Sequence, residues 1–240
     1  MERHGFTLLV LWMLYSLRTA PPAPYIHFGL GADGPYPEAP AARDYTYWGD
    51  VDRVGTYLGK APEKHNRYAN TAFILNPSLA KRRDVTPEMI WTNRRICEHY
   101  VRRFAHVARE EMRKYGIPAS ITLAQALLES DAGGSRLTKK TANHFGIKCF
   151  SRTCKRGHCT NFEDDTHKDF FRIYKNAWES FRAHSLLLQG KRYKHLQAFG
   201  KDYRRWAEGL QKAGYATDKH YAKKLIRLIE SLHLDEFDRE

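Results

Sequence analysis

Gly116-Ile117-Pro118-Ala119-Ser120-Ile121-Thr122-Leu123-Ala124-Gln125-Ala126-Leu127-Leu128-Glu129-Ser130 is the stretch whose reading decides the fold. Pro118 suits a first helical turn, where its missing N–H is no loss, and Ser120 is placed to cap. Ile121, Ala124, Leu127 and Leu128 recur at helical spacing, which predicts one buried face. Gly133 and Gly134 are expected to stop the helix and leave Glu129 in its last turn. A carboxylate there meets the negative end of the helix dipole and a wall of leucines, and both disfavour its anion. A carboxyl that keeps its proton near neutrality has the property required of a general acid.

Upstream, a helix is predicted from near Thr92 to Tyr115, with Ile96, Tyr100, Phe104, Val107 and Met112 on one face and Gly116 ending it. Downstream, residues 149–174 hold turn formers and an alternation of Phe170, Phe171, Ile173 and Tyr174, which suggests a small β-hairpin. Helical patterns resume over Ala177 to Gln189, Asp202 to Ala213 and Lys219 to His233. The fold class expected is α+β and mainly α, with one small β lobe.

Residues 1–20 read as a signal peptide or signal anchor. Arg3 and His4 precede an apolar run from Phe6 to Leu17, which is too short for the ~20 residues of a spanning helix. Six of the ten prolines fall between Pro21 and Pro40, the composition of an extended tether. Residues 41–90 carry aromatics without a sustained period, so 21–91 read as a tether and irregular extension. The catalytic unit is then expected over 92–234, with an acidic tail at 235–240.

The chain of 240 residues has 40 Lys and Arg against 27 Asp and Glu, a formal charge of +13. That balance favours polyanionic partners. An export signal removes cytoplasmic DNA from reach, so nucleic acid is not the expected partner. An acidic wall polymer fits better. In an exported protein, Cys97, Cys149, Cys154 and Cys159 are expected to form one or two disulfides, with three ways to pair all four. A zinc site with His144 or His158 is the alternative, although no CxxC pair supports it.

Four blocks in register give these patterns a family. They are Gly116 through Ser130, then Asn143-His144-Phe145-Gly146-Ile147-Lys148. Phe171-Arg172-Ile173-Tyr174 follows, running into Glu179-Ser180-Phe181, and last comes Ala213-Gly214-Tyr215-Ala216-Thr217-Asp218 with Tyr221-Ala222. In these the chain resembles the family 73 glycoside hydrolases, bacterial peptidoglycan glucosaminidases. The resemblance implies a lysozyme-like helical domain with a small β lobe across a cleft. It implies cleavage of the β-1,4 bond between N-acetylglucosamine and N-acetylmuramic acid in peptidoglycan glycan strands, with no metal or organic cofactor. The family's acid falls on Glu129, and its tyrosine linked to activity falls on Tyr215. A second carboxylate in the β lobe is expected at Glu163 first or Asp165 second, which share a face if the strand from Cys159 continues. Asn143, Phe145, Tyr174 and Tyr221 are the expected substrate-binding residues, and Asp218 is expected to cap the last helix. A catalytically inactive wall-binding module and a lysozyme-type muramidase are the competing functions.

Overall fold

The computed structural model of the chain describes residues 68–150, 155–161 and 170–239. The expected signal and tether, Cys154, and the carboxylates Glu163 and Asp165 lie outside these residues. Two short helices, α1 (Ala72–Leu75) and α2 (Pro77–Arg82), lead into the long α3 (Pro87–Tyr115). Helix therefore starts upstream of Thr92, because Pro87 occupies the first turn, where its lost N–H costs nothing. Residues 68–91 are not wholly irregular either, since Phe73 and Ile74 of α1 are buried in the core.

The central element is α4 (Ala119–Ser130), which carries Glu129. Every residue from Ala119 to Leu127 is buried, so the helix is enclosed on all sides rather than along the one face its apolar spacing predicts. Around it stand α3, α6 (Ala177–Leu188), α7 (Tyr203–Lys212) and α8 (Tyr221–Ser231), while the short α5 (Arg136–Thr141) follows it in the chain. Ile121, Leu127, Phe181, Leu196, Trp206, Leu210 and Leu225 form one continuous core. Between α3 and α6 the buried Glu111 carboxylate takes the Arg182 guanidinium, with Nη2 to Oε1 at 2.8 Å.

Both ends of α4 are finished by distant residues. Ser120 does not cap it. Instead the Ser120 N–H and hydroxyl donate to the Asp238 carboxylate at 2.9 and 2.5 Å. Asp238 belongs to a 3-10 turn, Leu234–Asp238, whose Leu234 and Phe237 are also buried. The acidic run is thus folded onto α4 as far as Asp238, because orphan N–H groups at a helix start favour an anion. At the other end the helix stops before the glycines, with Asp131 and Ala132 both left-handed (φ 53° and 51°). Asn70 holds that turn: its N–H donates to Asp131 Oδ1 at 2.6 Å, and its amide donates to the Asp131 carbonyl at 2.9 Å. Ser130 adds a hydroxyl that accepts the Gly133 N–H at 2.8 Å.

The β lobe is a two-stranded antiparallel sheet of β1 (Cys159–Asn161) and β2 (Phe170–Arg172), in the register Cys159 with Arg172 and Asn161 with Phe170. A disulfide joins Cys149 to Cys159. Cys97 is buried in α3, where its thiol donates to the Asn70 carbonyl. His144 is bonded elsewhere, to the Tyr100 hydroxyl at 2.6 Å. His158 Nδ1 lies 3.0 Å from Cys159 Sγ, but its Nε2 faces the Arg172 guanidinium at 3.5 Å. A metal-bound imidazole needs an acceptor at that second nitrogen, not a donor.

Candidate active site

Glu129 is the penultimate residue of α4 and is partly buried. Burial raises its pKa above the usual carboxylate range, against the opposing pull of the Tyr221 hydrogen bond and the Lys224 charge. Tyr221 opens α8 and donates its hydroxyl to Glu129 Oε1 at 2.9 Å. Lys224, one turn on, is held by Asp218 at 2.5 Å. Asp218 also accepts the His220 N–H at 2.8 Å, but His220 is itself the cap residue, so Asp218 closes the turn ahead of α8 and does not cap the helix as the sequence predicts.

Tyr215 stacks on Tyr221, with ring centroids 5.7 Å apart and planes 23° from parallel. Its phenol pKa is pushed up by burial and then by the neighbouring Glu129 charge, so it stays a neutral hydroxyl beside the acid. The backbone delivers it there. Gly214 takes a left-handed conformation (φ 69°) after α7, and the Tyr215 N–H closes the turn on the Leu210 carbonyl at 3.0 Å. Arg192 then clamps the turn through the Ala213 and Gly214 carbonyls at 2.6 and 2.9 Å.

The structure thus brings Glu129, Tyr215 and Tyr221 together. It gives three of the expected substrate-binding residues other work. Asn143 is buried, and both ends of its amide are spent on the backbone: Nδ2 donates to the Ile147 and Arg172 carbonyls, and Oδ1 accepts the Ile147 N–H, each at 3.0 Å. It fastens the β lobe to the helices and has no group left for a sugar. Phe145 is only 3% exposed and stacks on His184 at 4.0 Å, so it is core. Tyr221 is itself 2% exposed, which makes it a support for Glu129 and not a wall of the binding site. Tyr174 differs. It lines a groove of about 900 Å³ between the β lobe and α6, together with Lys148, Phe150, Arg172 and Trp178. Glu129 does not line that groove.

Two residues of the site had no role in the sequence reading. Gln125 sits one helical turn before Glu129, and its Nε2–H donates to the Tyr221 hydroxyl at 3.0 Å. His184, on α6, meets Gln125 Oε1 through Nε2 at 3.1 Å. A lone amide four residues before the acid in an apolar helix was a usable signal, because i and i+4 share a face. Nothing local marks His184.

A family profile described as mannosyl-glycoprotein endo-beta-N-acetylglucosaminidase matches residues 105–234, more than half of the chain. The chain belongs to the glucosaminidase family. Among its relatives, exo-glucosaminidase LytG of Bacillus subtilis is 39% identical over 139 residues, which are 52% of this chain and 48% of LytG. Peptidoglycan hydrolase FlgJ of Pseudomonas aeruginosa is 30% identical over 146 residues, 56% of this chain and 36% of FlgJ. This glucosaminidase-family chain therefore spans about half the length of LytG and about a third of FlgJ. Among solved structures, the catalytic domain of the autolysin Auto from Listeria monocytogenes superposes with a TM-score of 0.51 at 28% identity, over 60% of this chain and 88% of that one. The peptidoglycan hydrolase from Sphingomonas sp. A1 gives 0.50 at 30% identity, over 58% and 92%. The mainly helical fold with its small antiparallel sheet is thus the fold of this family.

Proposed function

We propose that this chain is a peptidoglycan hydrolase that cleaves the β-1,4 bond between N-acetylglucosamine and N-acetylmuramic acid, with Glu129 as general acid. The observation that carries the reading is the setting of Glu129, whose buried carboxyl favours its proton while two neutral phenols stand beside it. In the mechanism Glu129 protonates the glycosidic oxygen as the bond to the anomeric carbon breaks. Tyr215 steadies the positive charge that develops there. Glu163, or failing it Asp165, is the second carboxylate. It serves either as base for water or as an aid to attack by the substrate's own acetamido group, and the anomer of the fresh product separates these routes. Tyr215, partly exposed beside Glu129, meets the glycan at the bond that is cleaved, and Tyr174 offers ring surface along the neighbouring groove. FlgJ and the Sphingomonas protein are peptidoglycan hydrolases, which supports an exported setting at the cell envelope, and the charge of +13 suits an acidic wall. Among the described residues no helix is long and apolar enough to cross a membrane, and a membrane tether at residues 1–20 is proposed from their apolar run alone.

Clearing of purified cell walls tests the acid. The wild type lowers turbidity, and Glu129→Gln is expected to lose at least ~10³-fold in rate. Equal clearing by the two proteins rules out the assignment. Mass spectrometry of reduced products then identifies the sugar at the new reducing end. N-acetylglucosamine there fits the proposal, and N-acetylmuramic acid makes the enzyme a muramidase.

A further inference from the structure

Three buried side chains stand in line behind the acid, and their hydrogens can be assigned from chemistry alone. His184 and Gln125 are fully buried, and Tyr221 nearly so. Burial holds the His184 pKa down at about 3, so the ring is neutral and carries one N–H. Its Nδ1 makes no hydrogen bond among the described residues, whereas Nε2 lies 3.1 Å from the Gln125 amide. Placing the hydrogen on Nε2 uses it in a bond and leaves Nδ1 as a bare acceptor. The other tautomer buries an unpaired N–H, the costlier defect. With Nε2–H pointing at it, the facing Gln125 atom must be Oε1, and the amide's NH₂ turns to Tyr221. The Tyr221 oxygen receives that hydrogen at 3.0 Å, and its own single hydrogen goes to Glu129 Oε1 at 2.9 Å.

We propose that His184 and Gln125 are positioning residues that give this hydrogen-bonded row one direction, so that Glu129 Oε1 always accepts from Tyr221 and the catalytic proton is confined to Oε2. The inference rests on Glu129 being the general acid. A glutamic acid has two oxygens, and only the one facing the glycosidic oxygen is useful. Without a fixed direction, protonated Glu129 can turn Oε1–H toward Tyr221 and hide its proton from the substrate. With the Gln125 NH₂ aimed at Tyr221, the phenol's own hydrogen has Glu129 Oε1 as its one acceptor among the described residues, so a Glu129 Oε1–H would strand it, and His184 prevents the amide from flipping. Donation by the amide also polarises the Tyr221 hydroxyl and strengthens its bond to the carboxylate. Among the described residues, the other charged or titratable groups acting on Glu129 are Lys224 on α8 and Tyr215 in the turn before it. Neither touches Gln125 or His184 through a hydrogen bond that would set their orientation.

Two measurements test this. In the wild-type protein, ¹⁵N chemical shifts of His184 are expected to report the neutral Nε2–H tautomer from pH 7 to pH 5. An Nδ1–H tautomer, or protonation within that range, overturns the proposal. In Gln125→Met, which keeps the volume and removes the amide, kcat is expected to fall about tenfold with KM unchanged, because the lost bond is worth about 1–1.5 kcal/mol. The alkaline limb of its rate profile is expected to move to higher pH, since Glu129 loses support for its anion. His184→Phe is expected to shift the limb the same way by less. Variants that melt like wild type and keep its alkaline limb overturn the proposal. If Glu129→Gln stays active, the reading of the acid fails; if it is inactive while both variants behave as wild type, only the direction of the row fails.

Discussion

At the scale of single residues, the protein keeps titratable groups away from water and thereby fixes their charge. Glu129 needs its proton for the proposed reaction, and burial raises its pKa. The rate should therefore persist above the pH at which an ordinary glutamate is spent, and fall as pH rises through the raised value. A pH profile of kcat/KM whose alkaline limb lies near pH 4.5 would falsify this. His144 and His184 show the opposite shift, to about 4 and about 3, chiefly by burial. In the unfolded chain these imidazoles take up protons below about pH 6.5, while in the folded chain they do so only near those lower values. The unfolded state then binds more protons, so stability drops as pH falls from about 6.5 toward 4 and 3. The slope is at most about 1.4 kcal/mol per pH unit for each histidine. Urea unfolding at pH 7 and pH 5 measures it, and His184→Phe should remove one share of the slope. Of these residues the sequence makes Glu129 legible, because apolar neighbours and a helix end are both local facts. His184 acts across 59 positions on Gln125, and no local pattern carries that pairing.

At the scale of elements, the pattern of apolar residues places α3, α4, α6, α7 and α8 to within a few residues, since each has a clear helical period. It fails at the joints. Asn143 reads as a sugar ligand in sequence, yet its geometry makes it the rivet between the β lobe and the helices. The stop of α4 reads as a glycine effect, yet Asp131 and Ala132 make the turn because Asn70 holds the left-handed backbone in place. A second joint is open to measurement. Glu111 is fully buried, and its partner Arg182 is partly exposed. Removing the arginine strands a buried carboxylate, and solvent access moderates the loss, so Arg182→Leu should cost about 2 kcal/mol of unfolding free energy. Glu111→Gln in that background should restore part of it. If Arg182→Leu unfolds at the wild-type urea midpoint, the clamp between α3 and α6 carries no weight.

At the scale of the whole molecule, composition and charge point to the class of substrate, while the way the described chain closes on itself is invisible to them. An acidic run after the last helix looks like a solvated tail, and only the fold reveals that Asp238 meets the start of α4. Asp238→Ala is expected to lower stability by about 2 kcal/mol, by loss of a buried charged cap. Chemical denaturation reads this directly, and an unchanged midpoint would show the cap to be idle. The same contact has a consequence in time. The helix bearing the acid is secured at one end by Asn70, which is made before it, and at the other by Asp238, which is made only after the last described helix. During synthesis from the N-terminus, α4 can take shape only without its cap until residue 238 has emerged. A chain in transit thus carries its acid on an unfinished support, and the helix that bears Glu129 is completed only once residue 238 has left the ribosome or, for an exported protein, the translocation channel.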